Sequence, residues 1–233
     1  DANSGSVAEF TLGLILSLAK KLPQSRDGLR KEGWSIRPQI TTFDLEGKTL
    51  GVLGMGRIGT AVARKASYGF GMKVLGYRRN LPGDICADYG ILTSDLDKVI
   101  RNSDFLSIHL PYTKDTFHLV SREKLELMKP DAYLLNLGRG ELVDQAALRE
   151  LLLSNRLAGA ALDVFEGEIP DADEPLLHMD QVIATPHIAG LSKQAMERLS
   201  YQAALGITEV LEGRKVTYPV NHPEKYASNI SVA

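Results

Sequence analysis

The segment Thr49 to Thr60 reads TLGVLGMGRIGT, and this stretch decides the fold. Its glycines Gly54, Gly56 and Gly59 follow the spacing G-x-G-x-x-G, after an apolar run that predicts a β-strand and at the start of a predicted helix. In such a turn the first glycine permits the sharp bend and the second lets the backbone approach a pyrophosphate. The third lets the helix pack close to the strand. The segment therefore predicts a strand, a dinucleotide-binding turn and a helix.

The residues that open the predicted helix support this interpretation. Backbone N–H groups around Arg57 and Ile58 lie at the positive end of the helix dipole, where they would face the phosphates. An incidental glycine-rich turn is the alternative to a cofactor site. The chain beyond the turn favours the cofactor site, because apolar runs and amphipathic stretches alternate there as in a parallel sheet wrapped by helices.

Six apolar runs predict the strands of this sheet, and several are nearly continuous, which is typical of strands covered on both faces. They are Thr49–Gly54, Met72–Tyr77, Phe105–Leu110, Ala132–Leu137, Ala158–Val164 and Gln181–Ala184. The helices predicted between them are Ile58–Phe70, Asp95–Asn102, Arg122–Met128 and Asp144–Ser154. This order predicts an α/β fold with a doubly wound parallel sheet, that is, a Rossmann-type dinucleotide-binding domain.

Two further helices flank the predicted sheet. The segment Ser6–Lys21 is apolar around most of its circumference, so we expect burial on several sides, with a second copy covering one of them. Ser192–Glu212 predicts a return helix, and Gln24–Asp44, with its glycines, proline and alternating charges, predicts a connecting loop. The predicted parts are residues 1–43 (interdomain or dimerisation helix and connecting loop), 44–190 (NAD(P)-binding Rossmann domain) and 191–233 (return helix and tail).

The composition excludes several classes of function. A formal net charge of −2 over 233 residues offers no general attraction to nucleic acid or to an anionic membrane, so neither is predicted as a partner. Cys86 is the only cysteine, so no intrachain disulfide and no thiol metal cluster can form. We predict a cytoplasmic protein without a metal site. The apolar run Phe10–Ala19 is too short to span a bilayer.

Two arginines follow the second predicted strand, where this fold often places a carboxylate that binds the adenosine ribose. The strand ends at Tyr77, and Arg78 and Arg79 come next. Arginine at this place can bind a 2′-phosphate through charge-assisted hydrogen bonds, which favours NADP. The alternative is that both arginines are solvated and that NAD is the cofactor.

Three segments bring chemically complementary side chains to the carboxyl edge of the predicted sheet. Arg139 follows the fourth strand, Asp163, Glu166 and Glu168 follow the fifth, and His187 follows the sixth. Arginine can bind a substrate carboxylate, histidine can move the proton of a carbinol, and a carboxylate can orient that histidine and favour its protonated form. Separately, each could be a turn-capping arginine, a loop histidine or a solvated glutamate.

The motifs GMGRIG, HLPYTKDT, NLGRGELVDQAAL, ALDVFEGE and TPHIAG, in this order, resemble the D-2-hydroxyacid dehydrogenase family over almost the whole chain. The resemblance implies Arg139 as the substrate-anchoring arginine, Glu168 as the histidine's partner and His187 as the acid/base. The choice of Glu168 over Glu166 rests on the family's spacing. The resemblance and the glycine turn together give the cofactor-binding set, which is Gly54, Gly56, Arg57, Ile58, Gly59, Tyr77, Arg78, Arg79, His109, Leu110, Pro111, Thr116, Leu137, Gly138, Asp163 and His187. One departure is Ile169, which stands where the family often has proline.

The resemblance also bears on the rest of the protein. Family members have a substrate lobe before the cofactor domain, and only its junction is expected here, in ANSGSVAEFTLGLIL, where Asn3 matches a position close to the cleft in some relatives. The helix from Ser6 resembles the segment through which the family's cofactor domains form dimers. We therefore expect a homodimer and a chain without the first lobe.

The predicted activity is hydride transfer between NAD(P)H and C2 of a small 2-oxo or 2-hydroxy acid. Reduction of glyoxylate or hydroxypyruvate fits an NADP-type strand end, oxidation of 3-phosphoglycerate is the main rival, and formate or phosphite oxidation is a more distant one. A cofactor-sensing protein like the family's NADH-responsive corepressors is the alternative from another class, and an isolated cofactor-binding fragment is a third.

Overall fold

The computed structural model describes residues 2–78 and 92–219, and a parallel β-sheet forms its centre. Its strands are β1 (Thr49–Leu53), β2 (Lys73–Tyr77), β3 (Leu92–Thr93), β4 (Phe105–Ile108), β5 (Tyr133–Asn136), β6 (Gly159–Leu162) and β7 (Val182–Ala184). The helices are α1 (Ser4–Ala19), α2 (Leu22–Glu32), α3 (Arg57–Phe70), α4 (Leu96–Asn102), α5 (Arg122–Glu126), α6 (Gln145–Leu153) and α7 (Lys193–Leu211). The six predicted strands and the predicted helices around them are confirmed, with ends that differ by one or two residues.

The strand order is β3-β2-β1-β4-β5-β6-β7, and all neighbouring strands are parallel. The chain therefore builds outward from β1 in one direction and from β4 in the other. Between β1 and β4 the direction reverses, and ligands of open α/β sheets bind beyond the carboxyl ends of the strands at such a point. The two-residue edge strand β3 was not predicted, because it is too short to show a periodic pattern.

Apolar side chains cover both faces of the sheet. On one face Leu50, Phe105 and Leu135 pack with buried residues of α1 and α3, and the rings of Phe105 and Tyr133 stack with centroids 5.1 Å apart. On the other face residues such as Leu134 pack with α4, α5 and α6. Because both faces are covered, the strands need continuous apolar runs, and the doubly wound fold is confirmed.

The helix α1 is buried by the chain's own core. Leu14 and Leu18 are 6% and 4% exposed, Ile15 is fully buried, and the helix packs against α3. The expectation that α1 leaves apolar surface for a second copy is therefore wrong. Its apolar circumference is explained by a position between α3 and the sheet.

The segment predicted as a connecting loop, Gln24–Asp44, contains the helix α2 and a 3₁₀ helix at Gly33–Gln39, so this prediction is wrong for most of its length. Neither helix has a buried residue, and Leu22 and Leu29 are the only large apolar side chains of α2, so few apolar residues mark the helical period in the sequence. Leu22, Leu29 and Trp34 are large and exposed here, Trp34 by 75%.

The chain divides into two compact units, Ser4–Gly190 and a smaller one that joins Asp1–Asn3 with Leu191–Ala233. In the smaller unit α7 begins where the side chain of Ser192 accepts a hydrogen bond from the N–H of Ala195, which confirms the predicted return helix. Within residues 2–78 and 92–219, no helix has the length and apolarity required to cross a bilayer. Cys86 lies outside the described residues.

Candidate active site

The three glycines of the turn between β1 and α3 differ in what an added Cβ would meet. Gly54 has φ +103°, and a Cβ there would lie 2.7 Å from the carbonyl oxygen of His109. A Cβ on Gly59 would lie 2.0 Å from the carbonyl oxygen of Gly54. Gly56 differs, because its φ is −87° and a Cβ would meet no atom within 4 Å. The fold therefore requires glycine at 54 and 59, whereas the absence of a side chain at 56 leaves open space.

That open space lies at the start of α3. The helix begins at Arg57, with Gly56 as its N-cap, and no side chain caps the free N–H groups of its first turn. Uncapped N–H groups at the positive end of a helix dipole are suited to bind an anion. The turn therefore fits a pyrophosphate, which would occupy the space that a Cβ at Gly56 would otherwise fill.

A cavity of about 630 Å³ opens at the carboxyl ends of the strands and brings together residues from distant parts of the sequence. It is lined by Ile58, His109, Leu110, Pro111, Tyr112, Leu137, Gly138, Arg139, Gly140, Glu141, Val164, Phe165, Glu168 and His187. Arg139, Glu168 and His187, which the sequence analysis selected for chemistry, all line it. Its volume is that of a site for a small organic ligand.

Arg139 is held at the cavity by the turn that follows β5. The buried side chain of Asn136 donates to the carbonyl oxygen of Arg139 at 2.9 Å and accepts the N–H of Gly138 at 3.1 Å. The Arg139 guanidinium donates to the Gly138 carbonyl at 2.7 Å, and no carboxylate of the described residues pairs with it. Most of its donors can therefore bind an anionic ligand.

Hydrogen bonds to the carboxylate of Asp163 hold the loop that carries His187. The buried carboxylate of Asp163 accepts the hydroxyl of Thr185 at 2.6 Å and the N–H groups of Ile188 and Ala189 at 2.9 and 3.0 Å. His187 lies between these contacts with φ +54°. The structure thus places Asp163 beneath the histidine loop, where it lines an adjoining apolar cavity of about 610 Å³ rather than the larger one.

The two glutamates of the following loop have separate surroundings. Glu168 is exposed, has φ +72° and lines the cavity with His187. Glu166 does not line the cavity, because its carboxylate pairs with Nε2 of His118. In the part of the chain that the structure describes, neither Glu168 nor His187 forms a side-chain hydrogen bond or ion pair. Of the two glutamates, Glu168 alone is open to a ligand in the cavity.

The two histidines that line the cavity differ in burial, and burial sets the charge of His109. Burial lowers the pKa of His109 to about 4, so its imidazole is neutral at physiological pH. Its Nε2 and the hydroxyl of Ser107 are 2.8 Å apart, and Nδ1 is buried without a hydrogen-bond partner among the described residues. His109 therefore cannot supply a proton at neutral pH, and His187 is the exposed histidine of the cavity.

A family description fits this arrangement. Residues 12–189 match the D-isomer specific 2-hydroxyacid dehydrogenase NAD binding domain. The chain belongs to this family. This confirms the resemblance and the NAD(P)-binding domain that the glycine turn predicted.

Similar proteins of the 2-hydroxyacid dehydrogenase family include the D-3-phosphoglycerate dehydrogenase of Methanocaldococcus jannaschii, which is 40% identical over 224 residues, covering 96% of this chain and 42% of that protein. The glyoxylate reductase of Thermofilum pendens is 39% identical and covers 93% of this chain and 65% of its own length. A crystal structure of the Aquifex aeolicus D-lactate dehydrogenase with NAD and lactic acid has a TM-score of 0.85 at 33% identity, covering all of this chain and 72% of that one. The chain thus spans less than two thirds of these curated relatives, and their names do not favour the sensor alternative.

The remaining predicted cofactor residues of this 2-hydroxyacid dehydrogenase domain lie in three kinds of place. His109, Leu110, Pro111, Leu137, Gly138 and Ile58 line the cavity. Tyr77 and the exposed Arg78 lie at the end of β2, and Arg79 lies outside the described residues. Thr116 is buried, and its hydroxyl donates to the carbonyl oxygen of Pro111 at 3.0 Å, so it supports the cavity wall from behind.

Five residues that line the cavity were not predicted as site residues, namely Tyr112, Gly140, Glu141, Val164 and Phe165. Each lies in one of the motifs HLPYTKDT, NLGRGELVDQAAL and ALDVFEGE, which also contain predicted site residues. The sequence holds no signal for which further residues of these motifs face the cavity. Tyr112 is 47% exposed, so its ring and hydroxyl are available at the rim.

Proposed function

We propose that this chain forms the cofactor-binding part of an NAD(P)-dependent dehydrogenase that interconverts small 2-oxo and 2-hydroxy acids. The observation that carries the proposal is the meeting of Arg139, Glu168 and His187 in one cavity whose wall includes Ile58 of the glycine turn. The family membership and the names of the relatives support the same reaction. The reaction belongs to the whole protein, of which this chain supplies the residues described above.

Each of the three side chains has one role in this proposal. When bound, the nicotinamide supplies the hydride that reduces C2 of the 2-oxo acid. Arg139 binds the substrate carboxylate through paired N–H donors. His187 donates a proton to the carbonyl oxygen during reduction and takes it back from the hydroxyl during oxidation, while Glu168 orients His187 and favours the imidazolium.

The proposed substrates are glyoxylate and hydroxypyruvate. Both place a carboxylate next to the carbonyl group, so one arginine suffices to orient them against His187. No carboxylate of the described residues pairs with the Arg139 guanidinium, which suits a substrate whose one anionic group it binds. The glyoxylate reductase among the relatives supports this choice, and 3-phosphoglycerate remains the rival because a relative of comparable identity is named for it.

For the cofactor we propose NADP. Arg78 is exposed at the carboxyl end of β2, next to the glycine turn that follows β1, where it can reach a 2′-phosphate of the adenosine ribose. No carboxylate stands at this strand end, in the sequence KVLGYRRN. The relative solved with NAD supports the alternative cofactor.

We also propose a homodimer, with an interface different from the one expected from the sequence. The segment 22–39 has no buried residue and exposes Leu22, Leu29 and Trp34. A segment of two helices that buries nothing of its own gains stability when another surface covers its apolar side chains. The proposed occupant is a second copy of the chain.

The proposal is tested by a steady-state assay of the full-length protein with a panel of 2-oxo acids and with both NADPH and NADH. We expect turnover with glyoxylate and hydroxypyruvate and a preference for NADPH. His187→Gln should lower kcat by about 10²- to 10⁴-fold, the usual contribution of general acid–base catalysis, with cofactor affinity nearly unchanged. Cofactor binding without turnover of any 2-oxo acid would contradict the proposed reaction.

A pH profile from the same assay tests the role of Glu168. Glu168→Gln removes the negative charge that, in this proposal, favours the imidazolium of His187, so the upper pH limit of 2-oxo acid reduction should move to lower pH. Glu150→Gln is the matched control for this profile, since Glu150 is paired with Arg122 on the surface and does not line the cavity. If the upper pH limit of reduction is the same in Glu168→Gln as in the wild type, Glu168 does not favour the imidazolium of His187.

A further inference from the structure

Glu166 lies where three loops beside the cavity meet. Its carboxylate pairs with Nε2 of His118, and its backbone N–H donates to Oε1 of Gln145 at 3.0 Å. The backbone N–H of His118 donates in turn to the carbonyl oxygen of Glu141 at 2.8 Å. Glu166 and His118 together therefore link the loop after β4, the loop between β5 and α6, and the loop after β6.

The last two of these loops are also in direct backbone contact. A Cβ on Gly140 would lie 2.0 Å from both the carbonyl carbon and the oxygen of Phe165, and 2.4 Å from the nitrogen of Glu166. Arg139 directly precedes this contact, and Glu168 follows it by two residues. A displacement of the backbone at Glu166 would therefore be transmitted to both cavity residues.

The His118 side of the contact is held in place as well. The ring of Phe117 stacks on the imidazole of His118, with centroids 4.0 Å apart and an interplanar angle of 14°. His118 has φ +45°, and the next residues run beside the 139–145 loop, where the N–H of Val120 donates to the carbonyl oxygen of Leu142 at 3.0 Å. The imidazole thus has a defined position from which to hold the Glu166 carboxylate.

We propose that Glu166 and His118 are positioning residues, which fix the backbone that presents Arg139 and Glu168 to the substrate. Neither lines the cavity, so they act through the two residues that do. This inference rests on the proposed function. The competing explanation is an ion pair that only stabilises the fold, and it predicts a lower unfolding temperature without a change in substrate use.

The test compares Glu166→Gln, His118→Gln and the double variant in the full-length protein. Each single substitution should lower kcat/KM for the 2-oxo acid by about 10- to 100-fold, the scale of a small misplacement of reacting groups. The dissociation constant of the cofactor should change by less than about twofold, since the glycine turn is not part of the contact. The double variant should lose no more than the worse single one, because both remove the same interaction.

Glu150→Gln is the matched control, since Glu150 is paired with Arg122 through a 2.6 Å contact on the surface away from the cavity. It should leave kcat/KM at the wild-type value. Additive losses in the double variant, or single variants with wild-type kcat/KM, would overturn the proposal.

Amide hydrogen exchange separates this inference from the proposed reaction. Glu166→Gln should accelerate exchange at residues 139–141 and 165–168 relative to Glu150→Gln, whether or not the wild type reduces a 2-oxo acid. A wild type without turnover would contradict the proposed function, but the comparison of exchange rates would still test the positioning role. Unchanged exchange in both loops would overturn the positioning role.

Discussion

At the scale of single residues, Gly56 and Gly59 lie in one turn, yet a methyl group at each position would meet different surroundings. In Gly56→Ala it would project into open space, so the domain should keep its stability while a pyrophosphate is displaced. In Gly59→Ala it would lie 2.0 Å from the carbonyl oxygen of Gly54, and the free energy of unfolding should fall by about 1–3 kcal/mol, as in overpacked sites. Thermal unfolding without cofactor, combined with calorimetric cofactor titration, measures both effects.

The two variants are controls for each other. We expect a cofactor affinity at least about tenfold weaker in Gly56→Ala, the equivalent of one lost hydrogen bond to a charged group. An affinity equal to that of the wild type would show that no ligand group approaches this backbone. A Gly56→Ala variant as unstable as Gly59→Ala would contradict the assignment of open space.

The choice between Glu166 and Glu168 shows the limit of the sequence at this scale. Both follow β6 within six residues, and spacing alone cannot say which carboxylate lacks a partner among the described residues. The answer depends on His118, 48 residues away, which pairs with Glu166 and leaves Glu168 open. A contact of that sequence separation leaves no local pattern.

At the scale of elements, the sheet and its helices were predictable because burial on both faces requires apolar runs, and amphipathic helices require a 3.6-residue period. The same reasoning failed for α2, whose side chains are all partly or fully exposed and include only two large apolar ones, Leu22 and Leu29. The prediction for α1 was wrong for another reason. Its apolar circumference indicates burial, but it does not indicate that α3 and the sheet of the same chain bury it.

A partly buried carboxylate, that of Asp104 directly before β4, binds the start of β1. Asp104 accepts the N–H of Thr49 at 2.7 Å and pairs with Lys129 at 2.7 Å. Burial alone would raise the pKa of this carboxyl group, and the two contacts outweigh it and hold the pKa below the ordinary value of 3.8. A carboxyl group with a lowered native pKa stabilises the fold above its ordinary pKa, and this stabilisation is lost as the pH falls toward the native value.

We therefore expect Asp104→Asn to lower the free energy of unfolding by about 1–2 kcal/mol at pH 7, measured by urea titration. The difference from the wild type should shrink between pH 5 and pH 3, as a rough window around the ordinary pKa. Asp97→Asn is the control, because its pair with Lys124 is more exposed and should contribute less than about 1 kcal/mol. A difference for Asp104→Asn that is constant with pH would refute the electrostatic explanation.

At the scale of the whole molecule, the exposed segment 22–39 predicts the assembly. Replacing Leu29 and Trp34 by Glu should convert the proposed homodimer to monomers without loss of folded protein, since both side chains are exposed by half or more. Sedimentation at micromolar concentration measures the change. Leu153→Glu, at an apolar position of α6 that is 63% exposed, is the control and should leave the dimer intact.

Two other outcomes would contradict this assembly. A wild-type protein that sediments as a monomer would show that the proposed dimer does not form. A double variant that remains dimeric would show that the interface lies outside the segment 22–39. Substitution of Leu14 by Lys does not test the interface. It would bury a charge in the core and unfold the chain.

The left-handed backbone of Glu168 and His187 has a consequence for the evolution of this chain. A side chain in that conformation costs roughly 1–2 kcal/mol relative to glycine, so each position would be more stable with no side chain at all. Selection for stability alone would drift toward glycine at both sites. That a carboxylate and an imidazole stand there instead means that part of the folding free energy is given up to hold two polar side chains at the opening of one cavity.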